Sequence, residues 1–331
     1  MNYIGSKHKL LPWIKEEILN VAGKDLSHKI FCDLFAGTSV VGSNFKTGVK
    51  QIISNDIEFY SFVLNKNYIE NHTEIKDTEE YINKLNKLPL KKGFIYQNYC
   101  IGGGTGRQYF SDENGLKIDT MRMQIARWRL DNKINDNVYY FLLASLLESA
   151  DKVANTTSVY GAYLKHLKKS AQKSLVLKPA VFELNDNEHQ VFNEDSNQLI
   201  KRIEGDILYL DPPYNQRQYG ADYHILNTIA KYDKFVPKGK TGLRAYNRSN
   251  YCKKSEVVKS FEALIKNAKF KHIFLSYNNE GLMSSEVIRS IMQKYGRYDL
   301  AMTEYQRFKA DSNRFNKADK TTEYLHILEK Q

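Results

Sequence analysis

The stretch Asp206-Ile207-Leu208-Tyr209-Leu210-Asp211-Pro212-Pro213-Tyr214 runs from an apolar segment into a carboxylate, two prolines and an aromatic ring. Prolines cannot continue a central strand, and two in succession fix φ and stiffen the loop that follows. They also leave carbonyls with no local N–H to satisfy them. Asp211 and the Pro212 carbonyl can therefore both accept from one amino group, while Tyr214 offers a flat face for stacking. This set suits methylation of an aromatic amine. The lone pair of such a nitrogen is spread into its ring, and two acceptors on its hydrogens favour a pyramidal nitrogen aimed at an electrophile. The gain would come from orientation and electrostatic placement. A base in a duplex must leave the stack to reach such a pocket. The bland alternative is a structural Pro-Pro turn after a buried strand.

A second candidate lies upstream. Asp33-Leu34-Phe35-Ala36-Gly37 reads as a strand entering a glycine turn, where Gly37 lets the backbone come close to a ligand. Asp56, at the end of the next strand, is suited to two ribose hydroxyls, and Asp33 to a ligand ammonium. A full G-x-G-x-x-G is missing, since Ser39 stands where a second glycine would be. By itself the turn is one that any α/β protein needs. Two other motifs fail. Gly239-Lys240-Thr241 has Lys234 where a P-loop has its first glycine, and Gly102 to Gly106 precedes no crossover helix.

The elements that must position these residues follow from hydrophobic pattern. Lys7 to Val21 is an amphipathic helix, Lys29 to Phe35 a strand, the stretch to Phe45 a helix and Gln51 to Asp56 a second strand. Further strands are expected at His189 to Phe192, Asp206 to Leu210 and Lys271 to Ser276, with a helix from Ser255 to Lys269. Tyr298 to Phe308 and Thr321 to Leu328 read as two strands joined by a charged loop. The expected fold is α/β: a doubly wound sheet with an antiparallel edge pair. Residues 72–180 break the rhythm, with helical runs at Met121 to Arg129 and Val138 to Ala150. They are read as an inserted, mostly helical region between the two parts of the main domain, 1–71 and 181–331.

Net charge is +11, and its location is informative. From Lys91 to Lys178 there are 14 Lys/Arg against 7 Asp/Glu; from Pro237 to Lys254 there are six cations and no acid. A basic surplus confined to two segments is the footprint of phosphate-backbone binding, though basic surfaces also serve solubility. Arg217, just after the catalytic loop, is suited to a phosphate. Lys240, Arg244 and Arg248 belong to a basic stretch, interleaved with Tyr246 and Tyr251, that reads as a loop ordering on DNA. Base readers are expected in the 91–178 region. Cys32, Cys100 and Cys252 lack disulfide or metal spacing, no metal site is expected, and no run of about 18 apolar residues marks a membrane span. The N-terminus lacks a signal-peptide pattern, so a cytoplasmic location is expected.

These motifs together resemble the Dam-like, D12 class of adenine-specific DNA methyltransferases. Tyr3-Ile4-Gly5-Ser6-Lys7 resembles the family's N-terminal cofactor motif, Asp33 to Gly37 its glycine motif, Asn55-Asp56 its ribose motif and Asp211 to Tyr214 its catalytic motif. The motif order resembles the α group. The resemblance implies a Rossmann-like methyltransferase sheet, an inserted DNA-recognition region, S-adenosylmethionine as cofactor and adenine N6 in double-stranded DNA as target. A restriction endonuclease acting separately is an implied partner. Tyr3, Lys7, Phe35, Asp56, Asp195 and Asp211 then join the cofactor set, with Asp195 near the adenine. Arg107-Gln108-Tyr109-Phe110 and Asn155 to Lys165 resemble segments near the DNA, which adds Arg107, Tyr109 and Lys165 to the contacts. Ser39 departs from the family glycine, and its side chain is expected to crowd the methionine end. Ser276 to Gly281 is expected either to wall the target pocket or to be a plain turn. N6-adenine in rRNA, N4 of cytosine in DNA, or a silent DNA-binding protein of the same fold are the competing readings.

Overall fold

A computed structural model describes residues 5–306 and 320–331. In chain order the elements are α1 (Leu11–Ala22), β1 (Ile30–Asp33), α2 (Val40–Phe45), β2 (Gln51–Asn55), α3 (Phe59–Asn65), α4 (Thr78–Asn86), α5 (Phe94–Tyr99), α6 (Asp112–Leu130) and α7 (Asp136–Val153). Then follow β3 (Gln190–Phe192), α8 (Ser196–Leu199), β4 (Glu204–Leu210), α9 (Tyr219–Asp222), α10 (His224–Lys231), α11 (Val257–Asn267), β5 (Lys269–Asn278), α12 (Ser285–Met292), β6 (Gly296–Gln306) and β7 (Lys320–Lys330). The sequence carries β6 to Phe308, which lies outside the described residues. Among the described residues no helix is long and apolar enough to cross a membrane.

Two compact units emerge. The first comprises Ser6–Ile57, Asn187–Gln218 and Arg248–Gln331 and holds every strand among the described residues. Its sheet has the order β3-β2-β1-β4-β5-β7-β6, parallel except where β7 runs against both β5 and β6. The fold is thus α/β and Rossmann-like, with the antiparallel edge pair the patterning calls for. Both sheet faces are covered, so strands read as apolar runs rather than alternations. Cys32, Leu208, Leu210, Ile273 and Leu275 pack with Phe261, Leu264 and Ile288 of α11 and α12. On the other face Phe31 stacks on Phe45 of α2 at 4.4 Å between ring centroids. Burying each such side chain contributes about 1.5–3 kcal/mol. α1 starts with Pro12 in its first turn and ends at Gly23, whose φ of 105° is one that a side chain would resist.

The second unit is helical: Glu58–Asp186 with Tyr219–Asn247. Its division differs from the 72–180 read from the sequence, and packing explains the difference. α3 follows β2 as a crossover helix would, yet Tyr60, Val63 and Leu64 are buried in the helical core with Leu143, Leu147, Ile225 and Leu226 of α7 and α10. α10 joins for the same reason: Asn227 accepts from the Tyr60 N–H and donates to the buried Glu58 carboxylate. α6 and α7 are capped by Ser111 and Asn135, whose side chains accept from N–H groups three residues on.

Candidate active site

The site is built on the carboxyl ends of adjacent strands of the sheet-bearing unit. Asp33 ends β1, Asn55 ends β2, and β4 runs directly into Asp211. Asn55 ties the loops after three strands together. Its amide donates to the carbonyls of Leu34 and Glu194, each at 3.2 Å, and its oxygen accepts from the Glu194 N–H at 3.0 Å. Within the glycine turn, Gly37 has φ 51° and its N–H donates to Asp56 Oδ2 at 2.8 Å. Asp56 is thereby held at the rim where the turn meets the end of β2.

Asp33 is buried. One oxygen accepts from the Gly42 N–H at 3.1 Å, at the start of α2, while Oδ1 has no hydrogen-bond partner among the described residues. Burial pushes its carboxyl up to about 8, with the Gly42 N–H opposing and Asp211 and Asp56 adding. A buried acceptor of this kind is costly unless a donor arrives. A ligand ammonium is the donor whose charge would answer both the orphaned oxygen and the raised proton affinity.

Ser39 occupies the left-handed region, with φ 62° and ψ 16°, and is buried. Its hydroxyl turns back onto the Thr38 carbonyl at 2.6 Å. The expected glycine is therefore replaced where glycine costs least, and the serine carries backbone strain there. Ser39→Gly should stabilise the protein by about 1 kcal/mol, read as a higher midpoint in denaturant. A midpoint equal to or below that of the unmodified chain would show that the turn carries no such strain.

At the Asp211 to Tyr214 loop, Lys7 Nζ lies 3.2 Å from Asp211 Oδ1 and 3.7 Å from Glu323 Oε2, and 5.8 Å from the Tyr214 ring centroid. Lys7, expected at the cofactor, has its ammonium engaged by both carboxylates. Burial works against the Lys7 charge, yet Asp211 and then Glu323 outweigh it and hold the proton well above the ordinary lysine range. Burial raises the Asp211 carboxyl to about 6, with Lys7 opposing and Glu323 adding. The Asp211 side chain keeps 19% of its exposure while Lys7 keeps 4%, so the carboxylate is the open end of the cluster. Pro212 is buried and Pro213 half-buried. Tyr214 is braced from the next strand end: its carbonyl accepts from the Leu282 N–H at 2.9 Å, and its ring meets Tyr277 edge-on at 6.3 Å. A side chain at Gly281 would run into the Tyr277 ring, so the glycine lets the turn close against the ring that Tyr214 meets.

The other sequence candidates separate. Tyr3 lies outside the described residues. Phe35 is half-buried and meets the Tyr251 ring edge-on at 5.0 Å. Asp195 is exposed and caps α8, accepting from the Gln198 N–H. Tyr251 is buried and donates to Asn197 at 2.8 Å, so it is core rather than part of a loop awaiting DNA. In the helical unit, Tyr109 is fully buried and its hydroxyl donates to the Tyr160 carbonyl at 2.7 Å. Arg244 is buried too, paired to Asp233 at 2.8 Å beneath the face of Phe235. The sequence places both at DNA; both instead hold the unit's interior, where the Tyr160 carbonyl satisfies the Tyr109 phenol and Asp233 offsets part of the cost of burying the Arg244 guanidinium. Arg107 donates to the carbonyls of Asn98, Gly239 and Lys240, pinning the turn that the Lys238–Leu243 bridge closes. Lys165, Arg217, Lys240 and Arg248 are exposed. Two site residues escape sequence reasoning: Asn55 as a loop tie, and Glu323. Asn55 is overshadowed by the more obvious Asp56 beside it, and Glu323 carries no motif at all.

The family model for the D12 class of N6 adenine-specific DNA methyltransferases matches residues 3–291. The chain is 64% identical over its full length to the Type II methyltransferase M.NlaIII of Neisseria lactamica, covering 99% of that protein. It is 39% identical to the Type II methyltransferase M.CviAII of Paramecium bursaria Chlorella virus 1, over 94% of this chain and 93% of that one. It is also 39% identical, over its full length, to 53% of the Type II methyltransferase M.FokI of Planomicrobium okeanokoites.

Proposed function

The chain belongs to the D12 class of N6 adenine-specific DNA methyltransferases, and on that footing we propose that Asp211 is the acceptor that orients the adenine amine and S-adenosylmethionine the methyl donor. N6 adenine-specific methylation of DNA is the activity of the family, and its Type II relatives are consistent with a restriction-modification system. The observation that carries the assignment to Asp211 is a carboxylate that keeps some exposure, at the end of β4, held by a buried ammonium.

Asp33, Gly37 and Asp56 would hold the cofactor, with Phe35 and Asp195 towards its adenine. The orphaned Oδ1 of Asp33 supports this fit, as does Asp56 fixed at the rim. The chemistry the cofactor supplies is an electrophilic methyl group. Asp211 and the Pro212 carbonyl each take one amino hydrogen, which turns the nitrogen lone pair out of the ring. Tyr214 stacks on the extruded base. With a carboxyl at about 6, Asp211 is charged at neutral pH yet basic enough to receive the proton that the nitrogen gives up on methylation. Duplex DNA is the substrate, the helical unit reads it, and a separately acting endonuclease in the same cytoplasm is the counterpart of the modification. Incubation with duplex DNA and labelled donor, then nucleoside mass spectrometry, tests the reading. N6-methyladenine is expected, and N4-methylcytosine or an RNA-only product would overturn it.

Binding of DNA phosphates falls to the exposed cations, Lys240 and Arg248, rather than to the buried Arg244. Reversing charge at both should weaken binding and flatten the plot of log K against log salt, by about 0.9 for each phosphate no longer neutralised. Binding titrations across salt concentrations check this. A slope equal to that of the unmodified protein would remove both from the interface.

A further inference from the structure

Glu323 is the fourth residue of β7, opposite Asn278 of β5, and its side chain is buried. Its Oε2 makes no hydrogen bond among the described residues, yet stands 3.7 Å from the Lys7 ammonium. A buried carboxylate with so little hydrogen bonding is expensive, and an apolar residue in the same place would pack at less cost. Its value must lie in its charge. Two carboxylates, Asp211 and Glu323, face one ammonium and leave one net negative charge in the cluster. Only the Asp211 end is open: its side chain keeps 19% exposure, against 7% for Glu323.

We propose that Glu323 is a positioning residue for methyl transfer: by sharing the Lys7 ammonium it keeps that cation from closing fully on Asp211, and leaves a carboxylate oxygen of Asp211 directed at the amine. The distances carry the case. Lys7 is nearer Asp211, at 3.2 Å, but Glu323 also lies within ion-pair reach, at 3.7 Å. Without Glu323 the ammonium would compete with the substrate amine for the same oxygens, and Asp211 would become the weaker acceptor. The charged and titratable groups around the cluster are Asp33 on β1, Tyr209 on β4, and Tyr214 in the catalytic loop. None of them carries a cation that could replace Lys7. The proposal rests on Asp211 being the acceptor.

The test is carbon NMR of the side-chain carboxyls, in the protein without cofactor or DNA, with single-turnover rates measured beside it. In Glu323→Gln the Asp211 midpoint should fall by on the order of half to one pH unit, since a like charge is lost and Lys7 turns wholly to Asp211. The acid limb of the single-turnover rate should fall with it, and the rate at neutral pH should drop on the order of tenfold. In the unmodified protein the Glu323 carboxyl signal should register an inflection at the Asp211 midpoint. That second measurement needs no variant to fold. An Asp211 midpoint unmoved by Glu323→Gln, or a Glu323 signal blind to the Asp211 titration, overturns the proposal. Failure of Asp211 as acceptor would show separately, as turnover surviving Asp211→Ala.

Discussion

Asp211→Ala should reduce methyl transfer below detection while leaving duplex DNA binding within about twofold. The carboxylate is the open member of a buried ionic cluster at a strand end, and a carboxylate adds nothing to the attraction for phosphates. Its removal deletes an acceptor needed only as the nitrogen pyramidalises, so the loss belongs to the rate rather than to binding. Asp211→Asn separates charge from shape. It keeps an oxygen acceptor and loses the base, and should lower the single-turnover rate by at least about a hundredfold. Its stability should move the other way. Burial raises the Asp211 carboxyl to about 6, above the ordinary 3.8. Stability that is fully present below about pH 4 is therefore lost as pH rises through about 6. An asparagine does not ionise and escapes that loss. Asp211→Asn should melt above the unmodified protein at pH 8, and show no such advantage at pH 4. Normal turnover in either variant would remove Asp211 from the reaction, and a lower melting point for Asp211→Asn at pH 8 would contradict the burial argument.

How much of this is legible in the sequence depends on which interactions are local. The β1 turn, the end of β2 and the β4 tetrapeptide each lie within a few residues, and their chemistry is written in consecutive letters. So are the strands, because a sheet covered on both faces needs continuous apolar runs such as Ile207 to Leu210. The helical unit's limits are not legible. Whether Phe59 to Asn65 covers the sheet or packs on α7 and α10 is decided by partners more than 70 residues away. Burial of Tyr109 and Arg244 is hidden for the same reason: Tyr and Arg serve equally at a DNA face or inside a core, and only Tyr160 and Asp233 show which. Glu323 is the extreme case. Nothing in its sequence context marks it, and it reaches the Lys7 cluster because β7 lies beside β5, one strand from β4.

Lys7→Met should be the most damaging substitution after those at Asp211, and its pH dependence is its signature. Lys7 lies between two carboxylates, and it is buried. Removing one partner of a buried ionic group costs about 3–5 kcal/mol, because the charges left behind are uncompensated. The cluster has one escape, which is to protonate Asp211. The Asp211 carboxyl, held down from a still higher value by Lys7, should rise above its present value of about 6. Two consequences differ in sign along the pH axis. Stability lost as pH rises through the folded-state value should now be lost over a wider and more alkaline window. Lys7→Met should then approach the unmodified protein at pH 5 and fall furthest below it at pH 8. Activity should do the reverse. A protonated Asp211 cannot accept the amine hydrogen, so the single-turnover rate at pH 7 should drop on the order of a hundredfold and recover in part towards pH 9. Melting curves and single-turnover rates across pH 5 to 9 measure both. If Lys7 served only to bind the cofactor, the rate loss would be flat across pH and would vanish at saturating donor. A loss that instead tracks pH at saturation assigns the ammonium to Asp211.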